Sequence, residues 1–477
     1  MKEKNRSLLS LTLIYTIGNL SSKLIGFVLV FFTTYYLTRE QVGQFDLILI
    51  SVNLLIPLVS LQLSDSGLRW LLGAENNDSV IKKTITSICF FYFLSIVLFS
   101  VCYQGYNIFN PSPYSVYLNT QLALQVVYIL FQQTIRGMGF NRLYASNSII
   151  NAFLYFGLSI LLLTTTSLKV EALLIANIFA LLITSIQLFI RAKMYRYISF
   201  NYFSWNHLKE LLRYSIPLMP NSLSWWAMSS ANRYFILLYI GAFANGIFAI
   251  SYKIPTIMTM LVGIFSLAWQ ERSILTYESD ERDRYYSGVF KKYLLLIFSV
   301  SFLIVSVNQV FIRVAVSEEF FEAYRYTPIL ILSTIFNSIA SFYGTGFLGA
   351  KKTKGLLISS LIGGLSTVLV SLILIPYFGL FGASFSILLG YIVLLCLRIY
   401  QSKNVFNIDF PYGMFSIYVL LFILISAIGY IENNYMIAFN IILAICVVGF
   451  LNRDLIKTIL ASDLKNIEFN KILKNKE

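Results

Sequence analysis

The chain has 477 residues, 57% of them hydrophobic and only 12% charged, with a formal net charge of +14. Soluble domains carry about 25% charged residues, so a soluble globular protein is excluded. The basic residues fall in short loops between apolar runs close to the ~20 residues that cross a bilayer, which also excludes a soluble nucleic-acid binder.

In chain order, the start "MKEKNRSLLS" is basic like that of a signal peptide. The apolar stretch behind it runs to about Tyr36 with no Ala-x-Ala site, so it reads as an uncleaved first span. Apolar runs then predict spans near 9–36, 44–72, 84–104, 115–136, 143–165, 170–190, 212–239, 245–270, 289–311, 326–349, 355–376, 379–400, 413–430 and 435–451. The expected fold class is therefore an all-α polytopic membrane protein with about fourteen transmembrane helices. Pro57, Pro217, Pro220 and Pro255 interrupt spans two, seven and eight as candidate kinks.

Of the 36 Lys and Arg residues, 28 fall in alternate segments that include the N-terminus and the tail, and four fall in the segments between them. That asymmetry places both termini inside. The remaining four, Lys23, Arg69, Arg233 and Lys253, lie within spans.

Shifting the chain by 203 residues lays "YYLTREQVGQFDLI" (35–48) on "LYIGAFANGIFAIS" (238–251) without a gap, pairing Gly43 with Gly246. The same shift pairs Arg69 with Arg272, and a fainter match at 210 lays "GFNRLYASNSII" on "GAKKTKGLLISS". The paired glycines are expected to form tight turns on the outer face. Six spans separate the repeats, so the two six-helix bundles share one membrane orientation, about an axis along the membrane normal, a transporter device. The expected organisation is an N-terminal bundle over 1–190, a basic amphipathic linker over 191–211, a C-terminal bundle over 212–400, two extra helices over 401–451 and a basic tail over 452–477.

Chemistry-bearing residues are few. Cys89, Cys102, Cys396 and Cys446 stand singly in or beside apolar segments, and the one histidine, His207, lies in a polar loop, so metal sites and His-based triads find no support. The acidic run "ESDERD" lacks Asp-x-Asp spacing and reads as a solvated loop. With short outer loops and no clustered intramembrane carboxylates, a polymerase or glycosyltransferase ranks last among the candidate functions. A buried cation costs about 2.5–3.5 kcal/mol on insertion scales and marks a functional site unless paired. Lys23 can snorkel or bond a helix carbonyl, Arg233 has no acid nearby in its own span, and Lys253 lies too deep to snorkel easily. Asp65 precedes Arg69 by four residues and Glu271 adjoins Arg272. These four read as inner-end gate residues or structural ion pairs. Asp46 is either a polar helix-end residue or a site for a coupling proton or sodium ion.

The segments "NLSSKLIGFVLVFFTTYYLTREQVGQFDL", "GLRWLL", "LLRYSIPLMPNSLSWWAMSSANRYFI" and "GIFAISYKIPTIMTMLVGIFSLAWQ" resemble the bacterial polysaccharide (O-antigen and capsule) flippases of the multidrug/oligosaccharidyl-lipid/polysaccharide exporter superfamily. The resemblance implies a V-shaped pair of bundles in the bacterial cytoplasmic membrane. It also implies alternating-access transport of an undecaprenyl-diphosphate-linked oligosaccharide for O-antigen, capsule or teichuronic-type polymer. The protein would be no enzyme and use no cofactor beyond H+ or Na+ coupling. Its partners would be membrane lipids, a polysaccharide polymerase and a chain-length regulator, with no nucleic acid. A cationic central cavity for the diphosphate, carried over onto Lys23, Arg233 and Lys253, would explain the in-span cations. The sister functions are a lipid-linked peptidoglycan precursor flippase, which shares the basic cavity, and a multidrug extruder, which needs an acidic one.

The assigned orientation has a direct check. In a background without native cysteines, Asn107→Cys, Ser167→Cys and Asn434→Cys should label from outside with an impermeant thiol reagent. Asn77→Cys, Ser279→Cys and Lys352→Cys should not, and labelling at Lys352 in intact cells would overturn the topology.

Overall fold

The computed structural model describes residues 8–74, 77–350 and 352–453 and is helical, with no strand among them. The first half holds α1 (Leu8–Tyr36), α2 (Arg39–Ser60), α3 (Leu63–Gly73), α4 (Asp78–Phe109), α5 (Ser115–Gly137), α6 (Asn141–Thr165) and α7 (Val170–Arg191). A connector follows, ending in α8 (Trp205–Ser215). The second half holds α9 (Met219–Ser230), α10 (Asn232–Tyr239), α11 (Ala242–Ser251), α12 (Lys253–Leu275), α13 (Arg282–Ala315), α14 (Thr327–Gly349) and α15 (Thr353–Ser402). Two further helices, α16 (Tyr412–Ile428) and α17 (Asn434–Leu451), end the described chain. Among the described residues nine helices are long and apolar enough to cross a membrane, and Tyr412–Ile428 is a shorter apolar one. Most of the basic tail over 452–477 lies outside the described residues.

Helices cover the expected apolar runs, and span seven breaks at Pro217 and Pro220 and span eight at Tyr252, just before Pro255, whereas Pro57 marks no break. Pro57 stays inside α2, and the second span instead breaks at Leu61 and Gln62, both left-handed at φ 45° and 58°. That conformation is rare for leucine, and side-chain bonds hold it here. The Ser60 hydroxyl accepts from the Gln62 amide at 3.2 Å, and Gln62 Nε2 donates to Ser222 Oγ in α9 at 2.8 Å. Pro217 and Pro220 sit at a helix start, where no intrahelical donor is lost. α15 comprises the two expected spans 355–376 and 379–400, folded back at Gly379 (φ 56°). Tight leg-to-leg contacts at Gly363, Gly382 and Gly390 show the antiparallel return.

α1, α3, α5, α6 and α7 pack together in the first half, and α9, α12, α14 and α15 in the second, with α16 and α17 against α13. The 191–211 segment is not one helix: two short 3-10 turns precede α8. α8 buries Leu208 and Leu211 against the first half, packing on α3 and α4. His207 in α8 meets Thr84 Oγ1 at 2.9 Å, and burial holds its pKa below the usual imidazole range despite Glu210 nearby.

The halves meet where the repeat is clearest. Gly43 and Gly246 are not turn glycines but helix-interior residues of α2 and α11, and the second-half turn is made by Gly241 (φ 117°). A methyl group added to Gly43 would overlap the Ala242 carbonyl, and one added to Gly246 would overlap the Arg39 carbonyl. Arg39 pairs with Ala242 under the same 203-residue shift, so the contact is symmetric in sequence as well as space. The glycines permit backbone-to-backbone approach of two helices, as small residues do in membrane packing.

Gly43→Ala and Gly246→Ala should therefore each destabilise the detergent-purified protein by about 1–3 kcal/mol, the usual range for overpacking. Gly157→Ala in α6, where an added methyl meets nothing within 4 Å, should be neutral in the same thermal-unfolding assay.

Candidate functional site

A cavity of about 300 Å³ lies between the halves, lined among others by Lys23, Asp46, Tyr155, Lys253 and Thr256. Its walls come from α1, α2 and α6 on one side and α11 and α12 on the other. α1 carries Lys23 on the exposed wall, and Lys253 enters half-buried as the first residue of α12. Neither lysine has an ion-pair partner within 4.0 Å among the described residues. An unpaired ammonium in this setting is tolerable where water or an anion reaches it, and the cavity gives that access.

Arg233 is placed differently. It lies 4% exposed on α10 and does not line the cavity. Its Nε lies 2.7 Å from Asp46 Oδ2, Nη1 donates to the Ser229 carbonyl at 2.8 Å, and its guanidinium stacks over Tyr252 at 4.7 Å. No acid of its own span pairs with Arg233; the carboxylate comes instead from α2 in the other half. Asp46 is likewise no lone helix-end carboxylate: it faces the cavity, binds Arg233 and lies 3.5 Å from Asn245 Nδ2. Asn245 also donates to the Gly43 carbonyl at 2.9 Å, which ties the ion pair to the glycine crossing. Further cross-half bonds hold α2 in place, from Trp226 Nε1 to the Ile50 carbonyl at 2.9 Å and between Tyr234 and Ser51 at 2.6 Å.

Of the two readings for the inner-end residues, the structural ion pairs do not form. Asp65 accepts from Gln133 Nε2 at 3.1 Å instead of binding Arg69, and Arg69 lies over the Tyr214 ring at 5.7 Å. Four residues along α3 bring both onto one wall of a second, wider cavity of about 980 Å³, which Trp70 and Tyr214 also line. Glu271 and Arg272 are both exposed, and no ion pair within 4.0 Å joins them. The in-span charges therefore divide into a three-cation, one-carboxylate group at the central interface and a separate solvated set at the basic end. Sequence reasoning missed the Asp46–Arg233 pair, because the repeat aligns Gly43 with Gly246 without showing that they touch, and Arg233 comes from α10.

The family model described as polysaccharide biosynthesis protein matches residues 8–269. No curated protein is a significant sequence match to the chain. Among solved structures, a lipid II flippase MurJ in an inward closed conformation aligns with TM-score 0.72 at 13% identity, covering 93% of this chain and 100% of that one. An inward-facing multidrug resistance MATE family transporter of the MOP superfamily aligns at 0.65 and 13% identity, covering 82% and 94%. A Pyrococcus furiosus MOP superfamily transporter, described by a reverse polarity of its binding pocket, aligns at 0.59 and 15% identity over 83% and 95%. At these identities the shared property is the fold.

Because Arg233 is buried and paired with Asp46 at the cavity wall, removing one partner should cost on the order of 3 kcal/mol. Arg233→Gln should thus lower the unfolding temperature, and adding Asp46→Asn to it should recover most of the loss. A double variant less stable than Arg233→Gln alone would show that the two groups do not act as a pair.

Proposed function

This chain belongs to the polysaccharide biosynthesis protein family, and from that premise we propose that it flips a polyprenyl-diphosphate-linked oligosaccharide from the inner to the outer leaflet by alternating access. The observation that carries the reading is the convergence of Lys23, Lys253 and the Asp46–Arg233 pair on one interface between repeat-related halves. Three cations against one carboxylate leave an uncompensated positive charge. A diphosphate diester, with a negative charge on each phosphate, is its chemical complement.

In this reading Lys23 and Lys253 receive the headgroup from opposite walls. The anion then competes with Asp46 for Arg233, whose forked guanidinium suits phosphate oxygens. Asp46 released in this way becomes the group able to take up a proton or sodium ion, giving coupling a defined place. At the outer face the repeat unit would pass to a polymerase and a chain-length regulator. A lipid-linked peptidoglycan precursor is the second reading, favoured by the alignment with the lipid II flippase over nearly the whole chain, and it uses the same diphosphate chemistry. A multidrug extruder fits less well, because the only carboxylate lining the cavity is already paired with an arginine.

Lys23→Met and Lys253→Met should leave membrane abundance unchanged, since neither lysine has a partner to strand. Surface polymer should fall by about tenfold or more, the scale of one lost charge-assisted contact, with lipid-linked repeat units retained on the inner leaflet. Normal surface polymer in both variants at native expression would overturn the assignment.

A further inference from the structure

We propose that a second recess, inside the first half and continuous with the charged cavity, binds one uncharged sugar ring, the one attached to the diphosphate. The recess measures about 310 Å³ and shares Lys23, Gly26, Leu29 and Tyr155 with the central cavity. That volume is at the low end for ligand pockets, suited to a single ring rather than a whole oligosaccharide. The proposal rests on the reading of the central cavity as a diphosphate site.

Its polar surface is uncharged. Ser22, Tyr128, Ser148 and Asn151 line it, and its one charged residue is Lys23 at the border with the central cavity. Behind the wall lies a layer of amides that fixes these groups. Gln132 Nε2 donates to Tyr128 Oη and to Asn147 Oδ1, both at 2.8 Å. Asn147 donates to Gln187 Oε1 at 2.8 Å, and Asn151 donates to Thr184 Oγ1 at 3.0 Å. Gln132 is 6% exposed, and its Oε1 is buried without a hydrogen-bond partner, a spare acceptor in the same layer. Tyr155 and Phe156 add aromatic surface to the lining. Hydroxyls and amides beside aromatic surface match a ring that carries hydroxyl groups on its edge and C–H groups on its face. A cation would find no carboxylate in this lining, and a second anion would find only the lysine already facing the central cavity.

Interhelical amide bonds also serve as packing glue in membranes, and the repeat supplies an internal control for that alternative. At the 210-residue shift Asn147, Ser148 and Asn151 fall on Leu357, Ile358 and Leu361. At those three positions the second half carries aliphatic residues, and its buried polar groups on this helix are instead Ser359 and Ser360, which accept from Arg398 at 3.4 Å, so the bundle does not need amides at that face to pack. Polar side chains kept in one copy of a duplicated membrane bundle, around a recess, point to a ligand.

The test uses the purified full-length protein and a short-chain prenyl diphosphate, either capped as its methyl ester (the bare probe, matched in charge) or carrying one N-acetylglucosamine, glucose or galactose, with affinities from calorimetry. Wild type should bind at least one glycosylated probe about tenfold tighter than the bare one, as expected for a few added neutral hydrogen bonds. Tyr128→Phe and Asn151→Leu should shrink that ratio while leaving affinity for the bare probe unchanged. Ala152→Trp, which fills the recess, should bring the ratio to one. Lys253→Met should weaken every probe in parallel. Equal binding of the bare and all glycosylated probes by wild type would overturn the sugar site while leaving the diphosphate site standing. So would a preference that survives both Asn151→Leu and Ala152→Trp. Failure of wild type to bind any probe would instead remove the diphosphate reading, and the sugar site with it.

Discussion

The backbone contact of α2 with α11 is the constraint from which the central interface follows. Helices whose axes approach this closely can have no side chain between them, which is why both positions are glycine. Once the axes are fixed, the residues just beyond the crossing have little choice of partner. Asn245 reaches back to the Gly43 carbonyl, and Asp46 is delivered to Arg233. A larger residue at either glycine would open the spacing that this ion pair requires. Packing at one point thus sets electrostatics at the next.

The charges then sort by how each escapes the cost of burial. Arg233 is held inside the protein by an ion pair with a carboxylate, a bond to a backbone carbonyl and an aromatic face. The two lysines have no such partners and instead border open space. That division separates a charge met by protein groups from charges left facing the cavity within a single cluster. It also makes Asp46 the link between them, since the same carboxylate stands in the cavity wall and in the ion pair.

Much of the fold was legible from the sequence because bilayer-length apolar runs leave helices as the available structure. The doubled-back α15 was readable too, as two apolar runs parted by a short Phe-Gly-containing joint. Other features depended on neighbours that no local pattern names. The break at Leu61–Gln62 has no Gly or Pro to announce it, and the hydroxyl it needs comes from Ser222 in the other half. Asp65 looked paired with Arg69 by helical spacing, yet Gln133 of α5 reaches it in its place. For the central site, the resemblance grouped Lys23, Arg233 and Lys253, and of these the two lysines line the cavity while Arg233 lies behind it. Sequence reading left Asp46 and Arg233 apart, since their pairing follows from a helix crossing and not from spacing along one helix.

The crossing of α2 and α11 also carries a history. Arg39 and Gly43 of one half touch Gly246 and Ala242 of the other, each position meeting the repeat counterpart of its own neighbour. An interface in which residue i meets j while j meets i is isologous, the form taken by two identical subunits about a twofold axis. A half-length chain bearing one such glycine would thus already possess a self-complementary surface, able to join a second copy side by side before any gene fusion. On one chain the two copies are also free to differ, as they do where Asn147, Ser148 and Asn151 of one bundle stand opposite Leu357, Ile358 and Leu361 of the other.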